Sequence, residues 1–331
     1  MSRLKVSVVI PTYKRPDLLQ RCLMPLLKQT LDRTHYEIIV VDDGQTEDTR
    51  ALVEGLAAQT QGRPLLRYLR PQGTRGPAAA RNRGWQAADG EVVAFTDDDT
   101  VPDEDWLRQG FRAIGGEGGR WLPAVRGAVH VPIDGPVTDH ARMTQGLEAA
   151  EFVTANCFVR RPVLRELGGF DERFLRAWRE DSDLHFKLIE AYGQEVEKAA
   201  QAIVQHPVRE APFGISLKQQ ANMMFDALLF KKHPELYRRK VGRLHAPPSY
   251  YAIVSGTLAA AAALLIGEPA AAGVLGAVVL ALILRLALKR LRGTSRAPQH
   301  VAEMLLTSAA IPFLSLYWRL KGALRFRVPF F

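Results

Sequence analysis

Asp97, Asp98 and Asp99 stand side by side at the end of an apolar run, and three adjacent carboxylates repel one another unless a cation sits among them. Hard oxygen ligands of this kind suit Mg²⁺ or Mn²⁺, ions that typically bridge to substrate phosphates. A second acidic pair, Asp42-Asp43 before Gly44, closes another apolar run. Taken alone, the triplet is explained better as a solvated loop in which Asp103, after Pro102, caps the next helix. Two familiar ways of holding phosphate are missing: the first strand-to-helix turn lacks G-x-G-x-x-G, and G-x-x-x-x-G-K-[ST] occurs nowhere. Cys22 and Cys157 lie far apart with no Cys or His at zinc-ligand spacing beside them, so both read as buried apolar fillers.

The acids need elements to aim them. Val6 to Pro11, Tyr36 to Val41, Leu65 to Leu69 and Val92 to Phe95 read as strands, and Asp17 to Gln29, Glu47 to Ala58 and Pro77 to Ala88 as helices. This βαβαβαβ series predicts an α/β fold, a mostly parallel sheet flanked by helices, whose ligands bind beyond the carboxyl ends of the strands. Those ends are polar: Pro11-Thr12-Tyr13, Asp42-Asp43-Gly44 and Asp97-Asp98-Asp99. Residues 110 to 150, with Gly115-Gly116, Gly118-Gly119 and Pro132 to Pro136, read as loops around a strand at Val125 to Val131.

Ser7 to Tyr13, Glu37 to Gly44, Gly76 to Gly84 (Gly-Pro-Ala-Ala-Ala-Arg-Asn-Arg-Gly) and Thr96 to Asp99 together resemble, in order and spacing, the family 2 glycosyltransferases of the GT-A nucleotide-diphospho-sugar transferase fold. The likeness continues through Thr154 to Glu172 and through Trp178-Arg179-Glu180-Asp181-Ser182-Asp183-Leu184, which is similar to the family's Glu-Asp-x-Asp-Leu motif, and covers about residues 5 to 206. It implies that Pro11, Tyr13 and Asp43 hold the nucleoside, that Asp97 and Asp99 form the metal-holding Asp-x-Asp pair with Asp99 the direct ligand, and that Arg81 lies near the donor diphosphate. It implies further that Asp181 is the base that takes the acceptor hydroxyl's proton, although acids in a first helical turn also serve the macrodipole. His206, after the apolar run Ala202 to Val204, completes the metal shell or is structural; His35, His130 and His185 are expected on surfaces. The implied reaction is one direct displacement, which inverts the anomeric configuration. Lys14, where the family often has Asn, and Gln45, in place of the usual Ser, depart from the pattern and bear on base or sugar choice.

The 331 residues are 47% hydrophobic and 24% charged with net charge +9, which excludes a disulfide miniprotein, a collagen-like chain and a disordered tail. Residues 231–331 hold 15 Lys and Arg against three acids, whereas residues 1–230 hold 29 against 32. An acidic front on a basic, apolar back suggests a soluble domain attached to a membrane surface, with no call for nucleic acid. At the N-terminus, Met1, Arg3 and Lys5 lead into Val8-Val9-Ile10, too short for a signal sequence, which places the front in a reducing, cytoplasmic setting.

A basic bridge (Lys231, Lys232, Arg238, Arg239, Lys240, Arg243) ends at Pro247-Pro248, and two uncharged stretches follow, Ser249 to Gly267 and Pro269 to Leu284. The second, about 24 Å as a helix, reaches across a roughly 30 Å core only if Arg285 snorkels and the helix extends to Leu288. Lys and Arg crowd the outer flanks and avoid Gly267-Glu268-Pro269, so the positive-inside rule gives a hairpin with both ends in the cytoplasm. The run Met304 to Trp318, broken by Pro312 and followed by Arg319, Lys321, Arg325 and Arg327, reads as an in-plane segment anchored by Tyr317 and Trp318. A soluble Ala-rich hairpin is the alternative, opposed by the absence of a polar stripe. Expected domains are therefore 1–230 catalytic, 231–249 basic linker, 250–288 membrane hairpin and 289–331 basic amphipathic segment. The Gln-x-x-Arg-Trp motif of the processive synthases is absent, Gln219-Gln220-Ala221-Asn222 lying in its place, which implies single additions. The expected protein is an inner-membrane, metal-dependent transferase that takes a nucleotide-sugar donor and a glycan or lipid-linked acceptor and touches membrane lipids. The alternatives are a catalytically silent scaffold of the same fold and a nucleotidyltransferase.

Overall fold

The computed structural model describes residues 4–242 and 244–330, so Arg3 and Arg243 of the basic stretches lie outside the described residues. The chain divides into two compact units, Met1–Pro132 with Gln145–Val208, and Ile133–Thr144 with Arg209–Phe331. Residues 209–230, expected with the first domain, thus group with the apolar helices that follow.

In the first unit the elements are β1 Val6–Thr12, α1 Pro16–Leu26, β2 Tyr36–Asp42, α2 Glu47–Thr60, β3 Leu65–Leu69, α3 Pro77–Gln86, β4 Val92–Thr96, β5 Val101–Pro102, α4 Trp106–Ala113 and β6 Ala124–His130. After α5 Asp139–Gln145, which belongs to the second unit, come β7 Asn156–Arg160, α6 Arg161–Leu167, α7 Glu180–Tyr192 and β8 Glu197–Gln205. One eight-stranded sheet runs in the order β3-β2-β1-β4-β7-β6-β8-β5. It is parallel through the first four strands, as their unbroken apolar runs predict, and mixed beyond, where β7 runs antiparallel to both β4 and β6. The stretch from 110 to 150, expected as loops around one strand, also holds the last turn of α4, whose Trp106, Leu107 and Phe111 share a buried stripe at helical spacing, and all of α5.

Packing brings α3 onto β1 and β2, and Gly84 sets the distance. A Cβ there would lie 2.3 Å from Val9 Cγ1 and 3.2 Å from Val41 Cγ2. Gly84→Ala is therefore expected to destabilise the unit by about 1–3 kcal/mol through overpacking, read as a lowered unfolding midpoint. Further along, the register between β6 and β8 shifts at Gly127/Ala128, and Asn156 fills the gap: its amide donates to the carbonyls of Ala128 (2.8 Å) and Ala202 (2.9 Å) and accepts from Trp106 Nε1 (2.8 Å). Cys22 and Cys157 are buried, and burial pushes both thiols up. His130 is exposed and His35 half-buried, but His185, expected on the surface, is buried on the inner face of α7 and stacks on Phe152 at 5.3 Å.

The second unit holds α5, α8 Ile215–Gln219, α9 Met223–Lys232, the short α10 Pro234–Leu236, α11 Pro248–Leu265, α12 Pro269–Leu291 and α13 Pro298–Phe326. The last three are each long and apolar enough to cross a membrane. At 23 residues α12 is about 34 Å long, so the helix does extend past Leu288, and its length matches that of a bilayer core. Pro312 does not break the third run: α13 continues through it for 29 residues, losing one backbone bond that the turns on either side outweigh.

Candidate active site

The carboxyl ends of β1, β2 and β4 meet at one edge of the sheet, and a backbone bond from Asp43 N to Thr12 O (2.9 Å) closes the first two together. Asp42 is spent on the turn, accepting from Gly44 N (2.9 Å), Thr46 N (2.8 Å) and Tyr68 Oη (3.0 Å). Asp43 reaches toward α3 instead: its Oδ2 accepts from Gly76 N at 3.1 Å, and its Oδ1, a buried atom, has no partner among the described residues. Pro11 is half-buried beside it and Tyr13 exposed. Lys14 and Gln45, the two departures from the family pattern, both hold left-handed backbone (φ 53° and 52°), a conformation that suits Asn better than Lys or Gln. The Lys14 ammonium lies 5.4 Å from the centre of the Tyr13 ring.

Beyond β4 the three aspartates separate by role. Asp98 turns inward and is buried, accepting from Thr12 Oγ1 (2.7 Å) and pairing with Arg15 Nη2 (2.7 Å), which ties the triplet to β1 and α1. Burial pushes its pKa up to about 6, with Arg15 pulling the other way and Asp99 adding to the rise. Its two neighbours turn the other way. Asp97, Asp99 and His206 present ligand atoms that all lie within 4.8 Å of one another, and His206 Nε2 is 3.7 Å from Asp99 Oδ1. His206 is set at the end of β8 by its backbone bond to His130 O (2.7 Å), and its Nδ1 has no partner among the described residues. Burial works against the charge on Asp97, but Arg81, with His206 and Arg15 behind it, holds that carboxyl below its ordinary range. Two carboxylates and an imidazole at this spacing fit a divalent cation of the Mg²⁺ or Mn²⁺ kind.

Arg81, expected beside the donor, lies inside the protein at 3% exposure. Its Nη2 donates to Asp97 Oδ1 (2.8 Å) and its Nη1 to Glu180 Oε1 (3.0 Å), so both ends of the guanidinium are engaged by carboxylates and α3 bridges the β4 loop to the start of α7. Glu180 is pushed up to about 7 by burial, which Arg81 opposes and Asp181 reinforces. Next along, Asp181 Oδ1 accepts from Ser182 N at 2.6 Å, the helix-terminal bond that the macrodipole reading anticipates. Burial raises the Asp181 pKa despite that bond and the nearby charges of Arg81 and Arg179. The result is a carboxylate readier to accept a proton than a free aspartate, in the electrostatic reach of Asp97.

Asn82, in the same Gly76 to Gly84 stretch, is a tie as well. Asn82 donates to Phe170 O (2.9 Å) and accepts from Phe170 N and Trp85 Nε1 (both 2.9 Å), holding the segment before α7. Gly169, at φ 63°, leaves no room for a Cβ, which would sit 2.5 Å from Trp85 Nε1. Glu180, Asp98 and Asn82 were not singled out from the sequence. Each lies within or next to a motif, but inward orientation is a property of the packed fold and leaves no mark on spacing.

The structure thus gathers Asp97, Asp99, His206, Arg81 and Asp181 into one cluster, with Pro11, Tyr13 and Asp43 on the adjoining strand ends. Comparison with known proteins gives a consistent result. The family described as Glycosyl transferase family 2 matches residues 7–119. Glycosyltransferase AglE of Haloferax volcanii is 30% identical over 225 residues, 65% of this chain and 70% of the relative. The GalNAc(5)-diNAcBac-PP-undecaprenol beta-1,3-glucosyltransferase of Campylobacter jejuni is 36% identical over 95 residues, 29% of each chain. Among solved structures, the mannosyltransferase PcManGT from Pyrobaculum calidifontis, in complex with GDP-Man and Mn²⁺, superposes with a TM-score of 0.54 at 21% identity, covering 99% of this chain and 88% of that one.

Proposed function

The chain belongs to the family 2 glycosyltransferases and has the GT-A fold, and from that premise we propose that it transfers a sugar from a nucleoside-diphosphate donor to a hydroxyl of a lipid-linked or membrane-proximal acceptor, with inversion. The observation that carries this reading is the convergence of Asp97, Asp99 and His206 within 4.8 Å, beside a half-buried Asp181 whose pKa is raised. Asp99, Asp97 and His206 hold a divalent cation, Mg²⁺ or Mn²⁺, with Asp99 the direct ligand. When bound, such a cation neutralises charge on the departing diphosphate. Pro11, Tyr13 and Asp43 receive the nucleoside; Asp43 Oδ1 is the unpartnered acceptor on that side. Asp181 takes the acceptor's proton as its oxygen attacks the anomeric carbon from the face opposite the leaving group. Arg81 acts from behind, keeping Asp97 ionised and the α7 terminus in place.

Two further parts of the proposal concern location. The apolar helices keep the catalytic unit at the inner membrane, with that unit and both termini on the cytoplasmic face. The name of the Campylobacter relative, which specifies an undecaprenyl diphosphate-linked acceptor, supports a lipid-linked acceptor here.

The test is donor hydrolysis and transfer by the purified full-length protein across UDP, GDP and dTDP sugars, with and without Mg²⁺ or Mn²⁺. Turnover of one donor only in the presence of metal is expected; a protein that binds donors yet turns none over would instead be the silent scaffold. Asp99→Ala is expected to weaken Mn²⁺ binding by more than the about 10- to 100-fold lost when a ligand's outer hydrogen-bond partner is removed. Calorimetric titration of the ion reads this without reference to turnover.

A further inference from the structure

α13 is amphipathic in the reverse sense for a helix in water. Its outward stripe holds Leu305, Leu306, Phe313, Tyr317, Leu320 and Leu324, 38% to 69% exposed, and with the exposed Ala309 it follows helical spacing along one side. Its inward stripe carries Thr307, Ser308, Ser315 and Arg319, all buried. Water-facing helices show the opposite order, so the outer stripe faces lipid. Length alone permits a crossing, since 29 residues make about 44 Å. The partners of the inner stripe decide the direction.

Near the start of α13, Glu303 Oε1 accepts from Gly214 N at 2.7 Å. One turn on, Arg290, at the exit of α12, donates to Thr307 Oγ1 (2.7 Å) and Ser308 Oγ (3.1 Å), while its other end holds Asp139 (2.8 Å) and Ser216 (3.1 Å). Further along, Arg319 donates to Leu244 O (3.2 Å), four residues before α11 begins. Gly322 is closed against α9, where a Cβ would lie 2.5 Å from Met224 O, and Lys231 donates to Phe326 O (2.7 Å). So α13 passes both feet of the α11/α12 hairpin, and for its whole length lies beside residues 214–246. That segment carries Lys218, Asp226, Lys231, Lys232, Arg238 and Arg239. A crossing α13 would draw these charges into hydrocarbon with it, at about 2.5–3.5 kcal/mol each on insertion scales.

We propose that α13 does not cross but lies along one leaflet at the feet of the hairpin, its leucine and aromatic stripe among the acyl chains and Lys321, Arg325 and Arg327 on anionic headgroups. The occupant of this surface is the bilayer itself: the stripe continues the exposed apolar faces of α11 and α12, and the cations on its C-terminal turns complement anionic lipid. The proposal rests on α11 and α12 crossing. Two spans then put residues 209–246, the α12–α13 turn and the end of α13 on one side.

Single cysteines in the full-length protein test it, because Cys22 and Cys157 are buried and react slowly. Glu268→Cys at the hairpin tip, Arg296→Cys before α13 and Arg325→Cys at its end are labelled with an impermeant maleimide in oriented proteoliposomes containing anionic lipid. Leu306→Cys, Phe313→Cys and Leu324→Cys carry a fluorophore quenched by lipids spin-labelled at different depths. The expected result is that 296 and 325 label from one side and 268 from the other, with all three fluorophores quenched at the same shallow depth. Labelling of 325 from the side of 268, or a depth that runs from one interface through the centre to the other, overturns the proposal. Labelling of 268 from the same side as 296 overturns the hairpin, and the in-plane helix with it, while leaving the catalytic reading untouched.

Discussion

Asp181→Asn is expected to lower transfer by about 10²- to 10⁴-fold, the range contributed by a positioned general base, with donor and metal affinity unchanged. Asparagine is the informative substitution because its Oδ1 still accepts the bond from Ser182 N that the native Oδ1 accepts at 2.6 Å, so the terminus of α7 is retained and only the proton acceptor is lost. A pure macrodipole role would cost a few tenths to about 1 kcal/mol of stability and leave turnover nearly intact. The pH profile separates the two further. The base works only when ionised, and burial raises its pKa. In the native protein kcat/KM should therefore fall with decreasing pH along a limb set above the ordinary aspartate range, and in Asp181→Asn that limb should vanish. A residual profile identical in shape to the native one would reject Asp181 as base.

The second large effect is on stability. Arg81→Met removes a guanidinium that is 3% exposed and joins Asp97 to Glu180, leaving two carboxylates without their cation. Breaking a buried pair from one side costs about 3–5 kcal/mol. For a unit of this size that corresponds to an unfolding midpoint lower by on the order of 10 °C. The loss should depend on pH in a stated direction. Without Arg81 both carboxyls rise above their unfolded pKa values, so the folded state takes up protons first as pH falls. The gap between native and variant is then widest above neutrality and narrows on acidification, with Glu180, at about 7 even when paired, leading the change. Arg81→Lys keeps one charge but not the two-pronged reach, and should fall between. A gap that does not vary from pH 8 to pH 5 would mean that Arg81 stabilises by packing alone.

What could be read from the sequence and what could not divide along a physical line. β1, β2 and β4 announce themselves because a strand covered on both faces must be apolar at nearly every position, and the ends of β2 and β4 announce themselves because acids interrupt those runs. Asp97 and Asp99 stood out for the same reason, and His206, more than a hundred residues further on, entered only as one of two readings, metal shell or structural. Orientation was not legible. Asp97, Asp98 and Asp99 are chemically identical, and only the packed fold shows that the middle one faces Thr12 and Arg15 while its neighbours face His206. Arg81 has the charge that a diphosphate would want, but two carboxylates brought in from β4 and α7 claim it first. His185 was misplaced because a lone histidine carries no periodic signal of its own; the burial of Leu184, Phe186 and Leu188 around it decides the matter. Pro312 misled in the other direction: a local rule for helix ending lost to the long run of tertiary contacts on either side of it.

The fit of α13 against α9 also dictates an order of events during synthesis. Phe225 and Phe230 on α9 are covered by Phe326 and Phe330, at centroid distances of 6.4 and 5.8 Å. Those covering rings are made roughly a hundred residues later, about 5–20 s at ordinary elongation rates. For that interval the ribosome presents a helix whose apolar side has no cover, while the apolar α11 and α12 have already been made. The second unit cannot mature helix by helix from its N-terminal end; it is sealed in one late step, and any premature stop before residue 326 would leave a greasy, unsealed nascent chain for chaperones and proteases to find.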